Sequence, residues 1–278
     1  MNRFLLFFLL IPVIAISQVQ IGEKIEGDHG TDGFGRSVAV SADGNIRAVG
    51  APKNDDNGAD SGHVRIYENS NGTCTQIGDD IEGEAAGDQF GESVDLYADG
   101  DIIAVGAPYN SGGGTNSGHV RIFENINGAW TQVGNAINGD VAWDESGRSI
   151  ALSSDGSIVA IGSRRHNGNG TDSGQVRVFE NIDGTWTLLG EAILGPQPND
   201  GLGVSISLSS DGNILAVGAN QIMTSGESPG FTMIFENVLG EWTQIGQTIY
   251  GAEPLNGSGN SVSLSADGNI VAIATPNG

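Results

Sequence analysis

Hydrophobic and polar positions along this chain alternate in short runs separated by turn residues. Ser37-Val38-Ala39-Val40 alternates small or polar with apolar side chains, the period of a pleated strand. Ala42-Asp43-Gly44-Asn45 ends that run as a tight turn, in which Gly44 can take the positive φ that a hairpin demands. A second strand is predicted over Asn45 to Gly50, and its counterparts Ile102 to Val105 and Ile214 to Val217 are almost continuously apolar. Continuous apolarity marks a strand covered on both faces, whereas a half-exposed hairpin would alternate cleanly. Pro52 and a polar loop, Asn54 to Gly62, lead to a third strand at His63 to Glu68, nearly repeated at His119 to Glu124. Asn71-Gly72, Asn127-Gly128 and Asp183-Gly184 are strong hairpin signals, and a fourth strand follows each, as at Trp130 to Gly134 and Trp242 to Gly246. Hardly any segment reads as helix.

The whole four-strand phrase returns every 56 residues: Phe34-Gly35, Phe90-Gly91, Ser146-Gly147, Leu202-Gly203, Ser258-Gly259, with Asp43-Gly44 and its four successors in step. A fixed period of this size signals one supersecondary unit stacked on copies of itself. With no helices available, sheets must cover sheets, and radial packing of four-stranded blades does so while leaving short edges. A β-sandwich would not need so rigid a period, and a β-solenoid would use much shorter coils. The predicted fold is therefore all-β, a β-propeller of four-stranded antiparallel blades. Units start near 27, 83, 139, 195 and 251, and residues 18–26 read as a fourth strand without a preceding unit. The fifth unit has only its first two strands, which predicts an incomplete ring of about four and a half to five blades, a fragment of a larger ring or a compact five-blade ring.

Periodicity also sorts residues by role. A position filled five times over is scaffold, because an active site needs its residues once. Asp43 and its equivalents are thus predicted to cap turns, and Asp32, Asp88, Asp144 and Asp200 to cap loops. Arg65, Arg121 and Arg177 are expected to lay their stems over neighbouring strands, and His63 and His119 to be polar strand starts. Cys74, the single cysteine, sits at the register of Trp130, Trp186 and Trp242 and reads as a packing substitute with no cation encoded beside it.

Residues 1–17 read as a signal peptide: Arg3, an apolar run from Phe4 to Ile16, and Ala15-Ile16-Ser17 as a small-x-small cleavage site. The expectation is a secreted or cell-surface protein without membrane insertion after cleavage. With 34 acidic against 11 basic residues, the net charge of −23 repels phosphate backbones and excludes nucleic acid as a partner.

Asp32-Gly33-Phe34-Gly35-Arg36-Ser37-Val38, followed by Ala48-Val49-Gly50-Ala51-Pro52, resembles the FG-GAP repeat, and Phe90-Gly91-Glu92-Ser93-Val94 to Val105-Gly106-Ala107-Pro108 does so equally. The resemblance implies the seven-bladed propeller of integrin α heads and of many bacterial surface proteins, and is specific for fold rather than function. Later copies drift, as Gly162-Ser163-Arg164 and Gly218-Ala219-Asn220 lose the proline. Calcium-binding members of that family carry an acidic DxDxDG loop between the first two strands; here only four-residue turns such as Ala42 to Asn45 stand there. One carboxylate cannot supply the oxygens calcium prefers, so those metal sites do not transfer.

Residues that break the repeat are the better functional candidates. Asp55, Asp56 and Asp60, in the most acidic loop, are the candidate ligands for a hard cation, with Ca2+ the one cofactor considered. Asp28 with Asp32, and Asp140 with Asp144, form lesser acidic pairs; His29 and His166 stand alone in loops. Arg164 and Arg165 interrupt an acidic surface without repeating and are the candidate partner contact. No G-x-S-x-G, H-E-x-x-H, C-x-x-C or phosphate-binding glycine loop is present. The expected function is an exported non-catalytic propeller that binds a protein or glycan through its loops, in adhesion or cell-surface assembly. The alternatives are an accessory or catalytic propeller of a polysaccharide-processing enzyme, and a structural spacer.

Overall fold

The computed structural model describes residues 20, 22, 24–220, 229–254 and 256–276. The predicted signal segment and part of the predicted strand over 18–26 lie outside them. Five antiparallel sheets follow one another in chain order. The first contains β1 (Ser37–Val40), β2 (Ile46–Ala51), β3 (His63–Ser70), β4 (Thr73–Gln76) and β5 (Ile81–Glu82). The second contains β6 (Ser93–Leu96), β7 (Ile102–Ala107), β8 (His119–Ile126), β9 (Ala129–Gln132) and β10 (Ile137–Asn138). The third contains β11 (Ser149–Leu152), β12 (Ile158–Ser163), β13 (Gln175–Ile182), β14 (Thr185–Leu188) and β15 (Ile193–Leu194). In the fourth, β16 (Leu202–Leu208), β17 (Ile214–Ala219) and β18 (Phe231–Val238) meet one long fourth strand, β19 (Glu241–Tyr250). The fifth is the hairpin β20 (Ser261–Leu264) and β21 (Val271–Ala274). The first strands β1, β6, β11, β16 and β20 stand beside one another, so the sheets are the blades of a β-propeller with those strands innermost. Among the described residues no helix is long and apolar enough to cross a membrane.

The core lies between blades, as the apolar second strands require. Ala48, Val64 and Ile66 of the first blade pack with Phe90, Leu96, Ile103 and Val105 of the second. Val120 and Ile122 pack likewise with Leu152, Val159 and Ile161, and Val176 and Val178 with Ile206, Leu215 and Val217. Val38 and Val40 on β1 are 64% and 54% exposed, where the corresponding Ile206 and Leu96 are 7% and 8% exposed beneath a preceding blade. Burying one such side chain stabilises by roughly 1.5–3 kcal/mol, so the inter-blade seams dominate the favourable energy.

The repeated motif is the hinge of each seam. Gly50 of β2 backs onto Gly91 of the next Phe-Gly turn so closely that a Cβ on Gly50 would lie 2.1 Å from the Gly91 carbonyl oxygen. Ser37 Oγ donates to that same oxygen at 2.7 Å, and Ser93 and Ser149 repeat the bond to Gly147 and Gly203. These glycine and serine positions thus form one inter-blade clasp at three seams; at the fourth, Ser205 Oγ instead accepts the Val262 amide at 3.0 Å.

A second clasp lies where the predicted fourth strand ends, at the register of Gly134, and a short further strand follows it in the first three blades. Between β4 and β5 the chain turns at Gly78 (φ 71°), tucked under the next blade's hairpin with room for no Cβ: one would lie 2.6 Å from the Gly128 oxygen. The freed carbonyl of Ile77 accepts the indole N–H of Trp130 at 3.0 Å, and Val133 and Leu189 receive Trp186 and Trp242 in the same way. The first blade has Cys74 at this register. Contrary to the expectation of no neighbouring cation, Arg47 Nη1 lies 3.0 Å from its sulfur.

Candidate functional site

Antiparallel order sends the loops of each blade to two ends. Asp-Gly turns and Asn-Gly hairpins gather at one. The β2–β3 loops, the starts of the third strands and the Phe-Gly turns gather at the other, the FG end. At the first end the residues repeat and serve the backbone: Asp43 accepts from Ser41 Oγ and the Asn45 amide, with Asp155, Asp211 and Asp267 doing likewise. The buried Asp before each Phe-Gly pair also caps its loop: Asp32, Asp88, Asp144 and Asp200 each accept the amide three residues earlier. His166 takes the register of Asn110, and both bond that Asp, His166 to Asp144 at 3.1 Å and Asn110 to Asp88 at 2.9 Å.

Two groups at the FG end do not repeat. The first surrounds His63, at the start of β3. Asp56 comes from the β2–β3 loop, Asp80 from the turn before β5 and Glu82 from β5 itself, which pairs His63 directly. One ligand atom from each of these four residues lies within 4.8 Å of all the others. His63 is 1% exposed, and neither ring nitrogen has a hydrogen-bond partner. Its Nδ1 faces Asp80 Oδ2 at 3.6 Å and Asp56 Oδ2 at 3.9 Å. Glu82 Oε2 is likewise buried without a hydrogen bond.

Outer residues hold the group in place. Arg65 Nε donates to Asp80 Oδ2 at 2.8 Å and Gln76 to Asp80 Oδ1 at 2.6 Å, while Asn54 donates to Asp56 Oδ2 at 3.1 Å. Arg65 also binds Asp28 at 2.5 Å, the first of a repeated ion pair that continues as Arg121 with Glu84 and Arg177 with Asp140. These arginines do cover neighbouring strands, Arg121 lying 4.2 Å over the Phe90 ring. Burial, then the Arg65 charge, lowers the His63 pKa. Burial, then the carboxylates of Asp80 and Asp56, raises Glu82. Burial works to raise Asp80 too, but the bonds from Arg65 and Gln76 outweigh it and hold its carboxyl low.

The second group surrounds the ends of the inner strands. Arg36 binds Glu92 at 2.7 Å across the first seam, and Arg148 stands 3.9 Å from Glu92 across the second. Glu145 collects three guanidiniums: Arg165 at 2.7 Å, Arg164 at 3.4 Å and Arg148 at 3.9 Å. Burial, then neighbouring Arg148, holds the Arg164 pKa below its usual value. Four of the chain's 11 basic residues thus meet two carboxylates here, a local excess of cation on a molecule of net charge −23. Nearer the axis, Asp95 on β6 stands alone among Ala39, Ala151, Ser207 and Ser263 at its register. It accepts the amides of Leu96 at 2.9 Å and Leu152 at 2.7 Å, and burial pushes its pKa up to about 6.

Of the predicted ligands, only Asp56 joins the four-residue group. Asp55 Oδ1 instead accepts the Asp60 amide at 2.8 Å, a cap repeated by Ser111 with Asn116 and Asn167 with Asp172. Arg164 and Arg165 share Glu145, as described. His63 does start a strand and also faces these carboxylates; Asp80, in the turn before β5, and Glu82, on β5, lie outside the acidic β2–β3 loop from which the candidate ligands were drawn. Their registers carried a signal: Asp80 aligns with Ala136, Ala192 and Thr248, and Glu82 with Asn138, Leu194 and Tyr250.

Comparison with known proteins agrees with the architecture. The FG-GAP repeat family matches residues 27–67 and 82–123, so the chain carries FG-GAP repeats in two places. No curated protein sequence matches it. Among solved structures it is similar to the hydrazine synthase of Kuenenia stuttgartiensis, with a TM-score of 0.55 and 13% identity over 86% of this chain and 70% of that one. It is also similar to the periplasmic gluconolactonase of Pseudomonas aeruginosa, with a TM-score of 0.54 and 17% identity over 85% of this chain and 64% of that one. At such identities these likenesses concern the fold alone.

Proposed function

We propose that this chain, a β-propeller carrying FG-GAP repeats, is an exported, non-catalytic module that binds a protein or glycan partner through the loops of its FG end, in adhesion or cell-surface assembly. The observation that carries the reading is segregation. Most residues at the opposite end repeat and serve the backbone, with Arg47 beside Cys74 an exception, while the clusters of unrepeated charged residues lie at the FG end. A structural spacer would need no such asymmetry. Arg36, Arg148, Arg164 and Arg165 outnumber the carboxylates they touch, so the partner group that fits them is itself a carboxylate, and guanidinium pairs that geometry well.

The enzyme reading has Asp95 in its favour, a lone carboxyl whose pKa of about 6 suits general acid–base work. Both its oxygens are nevertheless engaged by backbone amides of two adjoining blades, as Ser207 Oγ is engaged by the Leu264 amide at 2.9 Å. The clasp accounts for the residue without a reaction.

Biolayer interferometry of the mature protein against polyuronate glycans and acidic proteins tests the proposal. The expected result is binding that weakens with salt and falls about tenfold or more, roughly 1.4 kcal/mol, in Arg164→Ser/Arg165→Ser. Binding indifferent to both the salt and the paired substitution would remove these arginines from the partner surface.

A further inference from the structure

We propose that Asp56, His63, Asp80 and Glu82 form a binding site for one divalent transition-metal ion, with Zn2+ the best match. The proposal stands apart from the arginine group and survives or fails without it. Three carboxylates drawn together are common on an acidic surface and prove little alone. What points to a ligand is the histidine among them, 1% exposed, with two ring nitrogens that find no hydrogen-bond partner. A buried polar atom left unsatisfied is costly, so a fold retains such a residue for a reason. Here Nδ1 points at two of the three carboxylates.

The donor set selects the metal class. Calcium takes about six to eight oxygens, and magnesium keeps several waters around few carboxylates. One imidazole nitrogen with three carboxylates is a borderline N/O set of four donors, which suits tetrahedral Zn2+. Bonds of about 2.0–2.1 Å place neighbouring donors roughly 3.3 Å apart, a few tenths of an ångström closer than the His63 pairs at 3.6 and 3.9 Å. All four donors lie within 4.8 Å of one another, so side-chain rotation on binding would have to draw the set inward by at most about 1.5 Å. Asp80 is oriented from outside by Arg65 and Gln76 and Asp56 by Asn54, the kind of supporting shell that metal ligands keep. Asp56, with a side chain 56% exposed, opens the way in from solvent. The cation alongside among the described residues, Arg65, has Asp28 as a further partner, so the three carboxylates keep a net negative charge toward the ion.

Bound there, the ion would pin the β2–β3 loop to the end of the fourth strand. The second blade supplies an internal control: its corresponding residues are Gly112, His119, Ala136 and Asn138. It keeps the histidine and none of the carboxylates.

The test is isothermal calorimetry of the metal-stripped mature chain, free of any histidine tag, with Zn2+, Mn2+ and Ca2+ in turn. Expected is one Zn2+ per chain, bound at least tenfold more tightly than Ca2+, with a rise in unfolding temperature. His63→Gln, Asp80→Ala and Glu82→Asn borrow residues that Gln175, Ala136 and Asn138 already place at those registers, so folding is preserved. Each should weaken Zn2+ by tenfold or more, while His119→Gln and Cys74→Ser leave it unchanged. No stoichiometric Zn2+, or binding that survives His63→Gln, overturns the proposal; so does binding lost in Cys74→Ser.

Discussion

The first and second blades share a backbone and differ in what they place around one histidine. His63 and His119 are each 1% exposed at the start of a third strand, paired with the end of their blade's fourth strand. Around His63 stand three carboxylates. Around His119 the one carboxylate that approaches among the described residues is Glu84, at 4.0 Å, and burial, then Arg121, pushes the His119 pKa down to about 4. The seams on either side are built alike, with the same glycine contact, serine bond and apolar strands. Repetition therefore preserves what packs blade against blade, and leaves the corners of single blades free to acquire chemistry.

The comparison breaks most sharply at the shared seam. Gly50→Ala and Gly106→Ala would each drive a Cβ to within 2.1 and 2.0 Å of the facing glycine oxygen, backbone that cannot step aside. Both should destabilise by about 3 kcal/mol or more, and by similar amounts, because the clasp is common to both blades. Denaturant unfolding of the two variants checks this; a harmless substitution in either would show that the seam is not where stability lies.

Grafting sharpens the other half. Gly112→Asp, Ala136→Asp and Asn138→Glu together should give the second blade the first blade's donors around His119. The expected outcome is a second equivalent of Zn2+, worth about 2.7 kcal/mol of added stability at a free concentration a hundredfold above its dissociation constant. Unchanged stoichiometry would mean that the corner's backbone differs more than its register suggests.

A smaller effect separates the inner strands. Asp95 has a folded pKa of about 6, above its unfolded value, so its protonated form is favoured in the fold. Its stabilising contribution is full below about pH 4 and is lost as pH rises through 6. Replacing it with serine, as at Ser207, removes that dependence. The stability difference between wild type and Asp95→Ser should therefore fall by about 1–2 kcal/mol from pH 4 to pH 7, with partial exposure holding it below the full shift. Chemical denaturation across that range measures it, and a difference constant with pH contradicts the assignment.

Much of the scaffold was legible in the residues. The first strand at Ser37–Val40, the turn at Gly44 (φ 77°) and the hairpin at Asn71-Gly72 lie where local chemistry placed them. These features depend on neighbours in sequence or on a period that declares itself five times. The short strand β5 beyond Gly78 was not legible, since the turn before it is shaped by the next blade's hairpin and tryptophan. The corner around His63 was legible only in Asp56. His63 was masked by its resemblance to His119, and Asp80 and Glu82 meet it only because β5 folds back beside β3. Spatial convergence across 26 residues, from Asp56 to Glu82, leaves no local pattern to read.

Crystals of the mature protein soaked in Zn2+ and measured above and below the zinc absorption edge address the central claim most directly. One anomalous peak within bonding distance of His63 Nδ1 and the carboxylates of Asp56, Asp80 and Glu82, with none beside His119, is the predicted result. Peaks at both histidines, or at neither, would contradict the view that the first blade alone carries this chemistry on a shared scaffold.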